Sequence, residues 1–451
     1  MAESKRTEYH RNDGEIVTID DLVPKFHLLR KIDRAIDWNK IYPIVDGKYS
    51  TIGRPSIDPV VLVKMVLLQH IYGIRSLRQT VAEIEVNLAY RWFIGYSLTE
   101  RIPHFSTVSY NFLHRFDSDM FEQIFTLILN EGIDSGYIKP NVIFVDSTHI
   151  KANANRKKQM KVHVPAAVKT YEEQLHKEID EDRDDHGKKP LKGKEQEEKT
   201  VTKSVSTTDP ESGLFHKGEH EKCFAYEAQT ACDRNNFILD VTVVPGNVHD
   251  SVSFDGLYDK VTARFPEIEV VTVDAGYKTP WICKKIIDDG RIPSMPYKRP
   301  MTKKGFFRKY DYVYDEFYDC YICPNDKILK YSTTNREGYR EYKSCPQDCA
   351  QCAMIEQCTE SKAQQKIVTR HIWEDYIEQA EDIRYSPLGK ETYAKRSETI
   401  ERVFADAKEK HAMRYTPYRG LSQVTNWVRL KFAAMNLKKM PLHGKLGLSE
   451  K

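Results

Sequence analysis

The chain reads as an all-α region followed by an α/β domain with a mixed sheet, the domain being interrupted by a small cysteine-rich segment. Three observations predict this. Residues 1 to about 135 carry helical patterning and helix-start signals. Two short runs, VIFV at 142–145 and VVTV at 270–273, each lead into an aspartate followed by small residues. Six of the nine cysteines crowd between Cys320 and Cys358. The layout that follows is 1–135 helical, 136–299 as the first part of the sheet domain with a charged insertion at about 160–215, 300–385 as the cysteine-rich insert, and 386–451 as the last part of the sheet domain.

The elements follow in order. Asp58 is placed to cap a helix with Pro59 in its first turn and an apolar run over 60–74 behind it. Ser76 and Gln79 have capping-box spacing for a second helix over 77–87. Gly73 sits in the short linker between them. Helix, tight turn, helix is one way to build a DNA-reading unit, and it is equally how helices ordinarily pack. Another helix or two are expected over 106–133. The segment 141–146 reads as a buried strand ending on Asp146. Between Glu172 and Lys203, 19 of 32 residues are charged with both signs mixed, which reads as a solvated insertion, helical early on, with no chemistry assigned.

Order resumes with two strands, FAYEAQTACD and NFILDVTVVP, around a turn at Arg234–Asn236. A helix is expected over 251–265 with Asp250 as its cap, a strand over 269–276, a helix over 279–289, a strand over 291–296 and a long helix over about 391–411.

Composition limits the function classes. Hydrophobic residues make up 40% of 451, enough for a real core, and the net charge of +3 decides nothing about partners. The N-terminal MAESKRTEYH has no apolar segment, and the run Val60–Leu68 is broken by Lys64. No signal peptide or membrane span is therefore expected, and the reading is a cytoplasmic protein. In a reducing compartment the crowded cysteines point to metal rather than disulfides. Cys223, Cys232 and Cys283 read as core residues, and His149 and His249 as structural.

Asp146 and Asp274 form a natural pair. Carboxylates at strand ends repel unless a cation lies between them, and hard oxygen ligands suit Mg²⁺. Two such ions can activate a water and stabilise a leaving oxygen in phosphodiester chemistry. A third carboxylate is expected from the helix around YAKRSETIERVFADAKEK at 393–410. Glu401 and Lys408 are two turns apart on one face, Tyr393 lies near that face, and Glu398 rivals Glu401. From Glu401 to Lys445 ten basic residues outnumber three acidic ones, with Tyr415, Tyr418 and Trp427 interleaved, a pattern suited to phosphate neutralisation and base stacking. The basic residues after Asp146, from Lys151 to Lys161, would line the same approach.

These segments resemble the DDE transposases of bacterial insertion sequences, in the group with a Tyr-Arg-Glu-Lys signature and the branch with a cysteine-rich insert. The matching residues are Asp146, Asp274 and Glu401, with Tyr393, Arg396, Glu401 and Lys408 as the signature. Four residues rather than the usual three separate Arg396 from Glu401, which leaves Arg396 less secure than Glu401 or Lys408. GRPSIDPVVLVKMVLLQHIYGIRSLRQ, RWFIGYSL, IPHFSTVS, VPGNVHDS and VDAGYKT extend the resemblance over most of the chain, the charged insertion excepted.

The resemblance implies a ribonuclease-H-like core with a mixed five-stranded sheet and an all-α N-terminal DNA-binding domain. It implies a transposase that binds the terminal inverted repeats, cuts there with metal-activated water and joins the freed 3′-hydroxyls to target DNA. Its partner is double-stranded DNA, both element ends and target. The expected assembly is a homodimer on DNA, acting at the nucleoid of a bacterial cytoplasm. Asp146, Asp274 and Glu401 would hold Mg²⁺ or Mn²⁺. Tyr393, Arg396 and Lys408, with Arg414 and Arg419 of the basic segment, would contact DNA. Two alternatives stay open: a ribonuclease-H-like nuclease without strand transfer, and a catalytically silent DNA-binding regulator.

Cys349-x2-Cys352 has zinc-gripping spacing. The first choice of four structural zinc ligands is Cys323, Cys349, Cys352 and Cys358, with Cys320 and Cys345 as alternates. Zinc would fold a segment with little apolar core of its own.

Overall fold

The computed structural model describes residues 14–49, 56–165, 171–191, 200–217, 221–299 and 301–443. The readings made on the N-terminal ten residues, on Gly53–Pro55, on Lys445 and on parts of the charged insertion (166–170 and 192–199) lie outside the described residues. Two compact units divide the chain. The first takes the chain up to Ile138, Ala405–Tyr415 and the chain from Ser422; the second takes Lys139–Phe404 and Thr416–Leu421.

The first unit is helical. Asp58 Oδ1 accepts from the Val60 amide at 2.8 Å and Pro59 opens the helix Pro59–Ile71. Ser76 caps Leu77–Val86 by accepting from the Gln79 amide at 3.2 Å. The capping box is one-sided, because the Gln79 side chain donates to Glu83 at 2.8 Å instead. Gly73 has φ +65°, and a Cβ there would lie 2.6 Å from the Lys410 carbonyl oxygen, so the linker needs glycine. The region expected to hold one or two helices holds Phe105–Tyr110, a π-helical turn at Asn111–Arg115 and Ser118–Asp134.

The helix Leu421–His443 corrects the reading of a basic, base-stacking surface. Trp427, Arg429 and Lys431 are buried. Arg429 pairs with Glu122 at 2.8 Å, and the Lys431 ammonium nitrogen donates to the His411 carbonyl at 2.5 Å. Burial pushes Lys431 down to about 7. These cations are spent on packing.

The second unit is built on a mixed sheet. Its strands are β1 (Val142–Lys151), β4 (Gly213–Lys217), β5 (Glu221–Asp233), β6 (Ile238–Pro245), β7 (Val270–Thr272) and β8 (Ile292–Ser294), while β2 (Gln159–Pro165) and β3 (Thr200–Ser206) form a separate antiparallel ribbon. Among the described residues the sheet has six strands rather than five. β1 and β5 pair antiparallel, as do β5 and β6, whereas β1–β7 and β7–β8 are parallel. Ala225 pairs with both Lys151 and Gly213, so β4 lies on the edge of β5 away from β1, the edge that β6 also uses. β4 thus extends the position of β6 rather than adding a sixth position across the sheet.

Apolar side chains of β1, β5, β6 and β7 are buried, and the helices Asp250–Arg264 and Pro280–Asp288 bury their own apolar residues. His149 stacks on Phe215 with ring centroids 3.6 Å apart, and Cys232 and Cys283 are core residues.

The insert forms a five-stranded antiparallel sheet, in order β13-β12-β11-β10-β9, from β9 (Val313–Asp315), β10 (Cys320–Ile322), β11 (Ile328–Thr334), β12 (Tyr339–Lys343) and β13 (Ile367–His371). It has an apolar core after all, with Tyr312, Tyr321, Leu329, Tyr342 and Val368 buried together. Tyrosines mask this core in the sequence, since each brings both a hydroxyl and a large ring.

The charged insertion contains a helix, Glu172–Asp185, that is not merely solvated. Leu175 and Ile179 are buried with Trp373. Asp182 accepts from Arg340 Nε at 2.6 Å and from the Thr334 hydroxyl at 2.5 Å. Apolar residues at i and i+4 dock this helix despite its charge. Among the described residues no helix is long and apolar enough to cross a membrane.

Candidate active site

β1 does not end at Asp146. It runs five residues further, with Ser147 to Lys151 paired to β5, because β5 is long enough to carry the ladder on. Asp146 therefore sits within a strand rather than at a turn. β1 and β7 run parallel in the register Val142–Val270, Ile143–Val271 and Phe144–Thr272. Two residues beyond the last of these pairs stand Asp146 and Asp274, so the matched register brings the two aspartates near enough for their charges to interact. Asp274 Oδ1 accepts from the Gly276 amide at 2.8 Å, which folds the chain after β7 back on itself.

Electrostatics express this proximity. Burial pushes Asp146 up to about 6, with the charges of Asp274 and Asp250 adding to the rise and Arg396 opposing it. Arg396 is buried, its Nη2 donates to Asp146 Oδ2, and its Nε is buried with no partner. The Tyr393 ring lies 6.0 Å from the Arg396 guanidinium carbon.

The expected long helix is broken here. Pro387–Ala394 gives way to a 3₁₀ turn, Lys395–Glu398, and Thr399 (φ −112°, ψ −100°) interrupts the helical path before Ile400–Glu409. Because of this break Arg396 projects from the turn onto Asp146 rather than from the helix that carries Glu401. Glu401 opens the next helix, is exposed, and makes no hydrogen bond or ion pair with either aspartate. Glu398 is exposed and pairs with Lys395 at 3.1 Å. Lys408 lies two turns beyond Glu401 and is half-buried. Arg414 is exposed and paired with Glu409, and Arg419 donates from Nε to the Asn153 carbonyl at 2.9 Å.

A second acidic pair, Glu227 and Asp250, stands near the aspartates. Asp250 is the first residue of its helix, and the cap is His249, whose ring accepts from the Ser251 amide at 3.2 Å. Burial and the neighbouring Asp250 push Glu227 up to about 8, so it keeps a proton and donates it to Asp250. Gln229 is fully buried and ties the group together, donating to Glu227 at 2.7 Å and Asp250 at 2.9 Å and accepting from the Tyr277 hydroxyl at 2.7 Å. Sequence reasoning took Asp250 for a cap and passed over Glu227. The alternation of Glu227 and Gln229 on one strand face was the available signal.

The cysteines gather differently. Cys323, Cys349, Cys352 and Cys358 line one small cavity of about 30 Å³, while Cys345 is exposed and Cys320 is buried within β10. Cys323 Sγ accepts from the Lys327 amide at 3.3 Å, Cys349 Sγ lies 3.1 Å from the Ser344 hydroxyl, and Cys358 Sγ lies 3.1 Å from the Tyr312 hydroxyl. Burial raises the Cys358 thiol above its usual range. Shared lining is not ligation spacing: among the described residues no three His, Cys, Asp or Glu side chains are gathered to hold a metal ion, at the cysteines or at the carboxylates.

Comparison with known proteins gives two matches. The family model described as Transposase DDE domain matches residues 322–441, which include Arg396, Glu401 and Lys408 but neither Asp146 nor Asp274. The model described as Transposase domain (DUF772) matches residues 17–114 of the helical region. No curated protein matches the chain. The DDE domain implies a ribonuclease-H-like core, a DNA substrate and use of a divalent metal such as Mg²⁺. Together the two matches indicate that the chain is a DDE transposase of the insertion-sequence type.

Proposed function

We propose that the protein binds the terminal inverted repeats of its element, hydrolyses the DNA there and joins the free 3′-hydroxyls to target DNA. The carrying observation is the Arg396–Asp146 ion pair, a tether between the first aspartate and the turn that precedes Glu401. In the first step a water oxygen bonds to phosphorus and the P–O3′ bond breaks, leaving a 3′-hydroxyl. In the second, that hydroxyl bonds to a target phosphorus and displaces the target's own 3′ oxygen, so one phosphodiester replaces another.

Asp146 and Asp274 fit two ligands of a divalent ion, being near enough for their charges to interact and buried enough to value a cation. Glu401 would be the third ligand, and Mg²⁺ or Mn²⁺ held there supplies water activation and neutralisation of phosphate charge. Arg396 would hand Asp146 over to the ion and turn to a phosphate oxygen; its partnerless Nε supports this. Tyr393 and Lys408 would hold further phosphates, with Arg414 and Arg419 contacting the flanking DNA. Cys323, Cys349, Cys352 and Cys358 would hold a structural zinc. The working form is a homodimer on DNA in the bacterial cytoplasm.

The test is cleavage of DNA carrying the ends of the protein's own element, with Mg²⁺ or with EDTA. Asp146→Asn, Asp274→Asn and Glu401→Gln should each lower the cleavage rate by about 10³-fold while leaving DNA binding largely intact. A variant that cuts at the normal rate removes its residue from the site.

A further inference from the structure

The insert carries an open cleft of about 710 Å³ far along the chain from the catalytic carboxylates, and four lysines line it: Lys188, Lys327, Lys330 and Lys343. Lys330 on β11 and Lys343 on β12 are direct cross-strand partners. Side chains so paired stand about 5 Å apart at Cβ, and like charges directly opposite destabilise a sheet. Lys343 has some relief from Glu341 at 3.3 Å. Lys188, Lys327 and Lys330 are exposed and form no ion pair with a described residue. Asp326 and Asp348 also line the cleft, so cations outnumber anions two to one. Lys188 comes from the charged insertion, just past the helix Glu172–Asp185, so this insertion and the insert sheet build the cleft together.

We infer that this cleft is a binding site for the phosphodiester backbone of duplex DNA. It gathers Lys188 of the charged insertion with three lysines of the insert sheet, and it opposes two of these cations across that sheet where folding alone would favour opposite charges. An open cleft with ammonium groups spread along it suits a repeated anion, since a DNA strand offers a phosphate about every 3.4 Å of its axis. Tyr331, at its wall, already stacks on His186 with centroids 3.8 Å apart, so recognition here is by charge and not by base stacking. The identity of the anion as DNA rests on the transposase reading; the lysine cluster itself does not.

The experiment is equilibrium binding of the full chain to duplexes of element-end and of unrelated sequence, in EDTA, across a salt series. Lys327→Ala with Lys330→Ala should weaken binding to both duplexes alike and reduce the slope of log K against log salt by about two, roughly 0.9 per lysine. Lys327→Arg with Lys330→Arg should keep both affinity and slope. Both pairs replace exposed side chains, and thermal unfolding checks that each variant is folded. An unchanged slope in a folded alanine variant overturns the inference, and so does a loss confined to element-end sequence. Binding in EDTA is independent of cleavage. A protein that binds through these lysines but never cuts would sink the proposed function and leave this site standing; one that cuts with an unchanged slope would do the reverse.

Discussion

The carboxylates and the cysteines are both candidate ligand sets, yet they assemble in different ways. The four cysteines come from 36 consecutive positions, 323 to 358, and all line one cavity. The carboxylates come from positions 146, 274 and 401, and only the two aspartates stand together. Charge explains the contrast. Small, weakly polar cysteine side chains can share a small cavity with little mutual cost, and burial raises the Cys358 thiol above its usual range. Carboxylates brought together repel, and each buried one needs a cation or a proton. Asp146 is paired with the Arg396 cation, and Glu227 keeps a proton and donates a hydrogen bond to the Asp250 carboxylate. The carboxylate cluster is thus held together by surrogate partners, whereas the cysteine cluster needs none.

Three experiments break or sharpen this comparison. The largest effect is expected at the carboxylates. Glu401→Gln should lower the cleavage rate as much as Asp146→Asn or Asp274→Asn, by about 10³-fold, whereas Glu398→Gln should leave it near normal. Equal losses at Glu398 and none at Glu401 would move the third ligand to the 3₁₀ turn. Next come the cysteines. Elemental analysis should find about one zinc per chain, absent after Cys349→Ser with Cys352→Ser and retained after Cys345→Ser. A wild-type protein purified without zinc, and unable to take it up, would reduce the four cysteines to packing residues. The smallest effect is a pH shift. Arg396 holds the Asp146 pKa down against burial, so Arg396→Ala should raise it above about 6. Asp146 must be deprotonated to hold a cation, so cleavage should then be lost at higher pH on the acidic side. The expected shift is about one unit, because an adjacent arginine moves an aspartate by about that much. An acidic limb that does not move would separate Arg396 from the ionisation of Asp146.

Local patterns were legible wherever a few neighbouring residues decide the outcome. Asp58 and Pro59 start a helix, and Asn236 turns β5 into β6 with φ 67°. Misreadings arose where a distant partner decides. β1 continues through Asp146 because β5 pairs with it to Lys151. The helix of the charged insertion docks because Trp373, almost two hundred positions away, receives Leu175 and Ile179. The cations Arg429 and Lys431 read as a DNA surface but are buried, one by Glu122 and the other by the His411 carbonyl.

VIFVD and VVTVD carry the same pattern, so the sequence by itself determined two apolar strands each leading to an aspartate, a helical N-terminal region and a compact cysteine set. Hydrophobic alternation, capping and short spacing are properties of neighbouring residues, and they need no other part of the chain. Only the tertiary structure decided that β1 and β7 align without a register shift, so that Asp146 meets Asp274. Only it broke the helix at Thr399 and turned Arg396 onto Asp146. Register and charge pairing depend on which segments meet, and a single strand or turn carries no record of its partner.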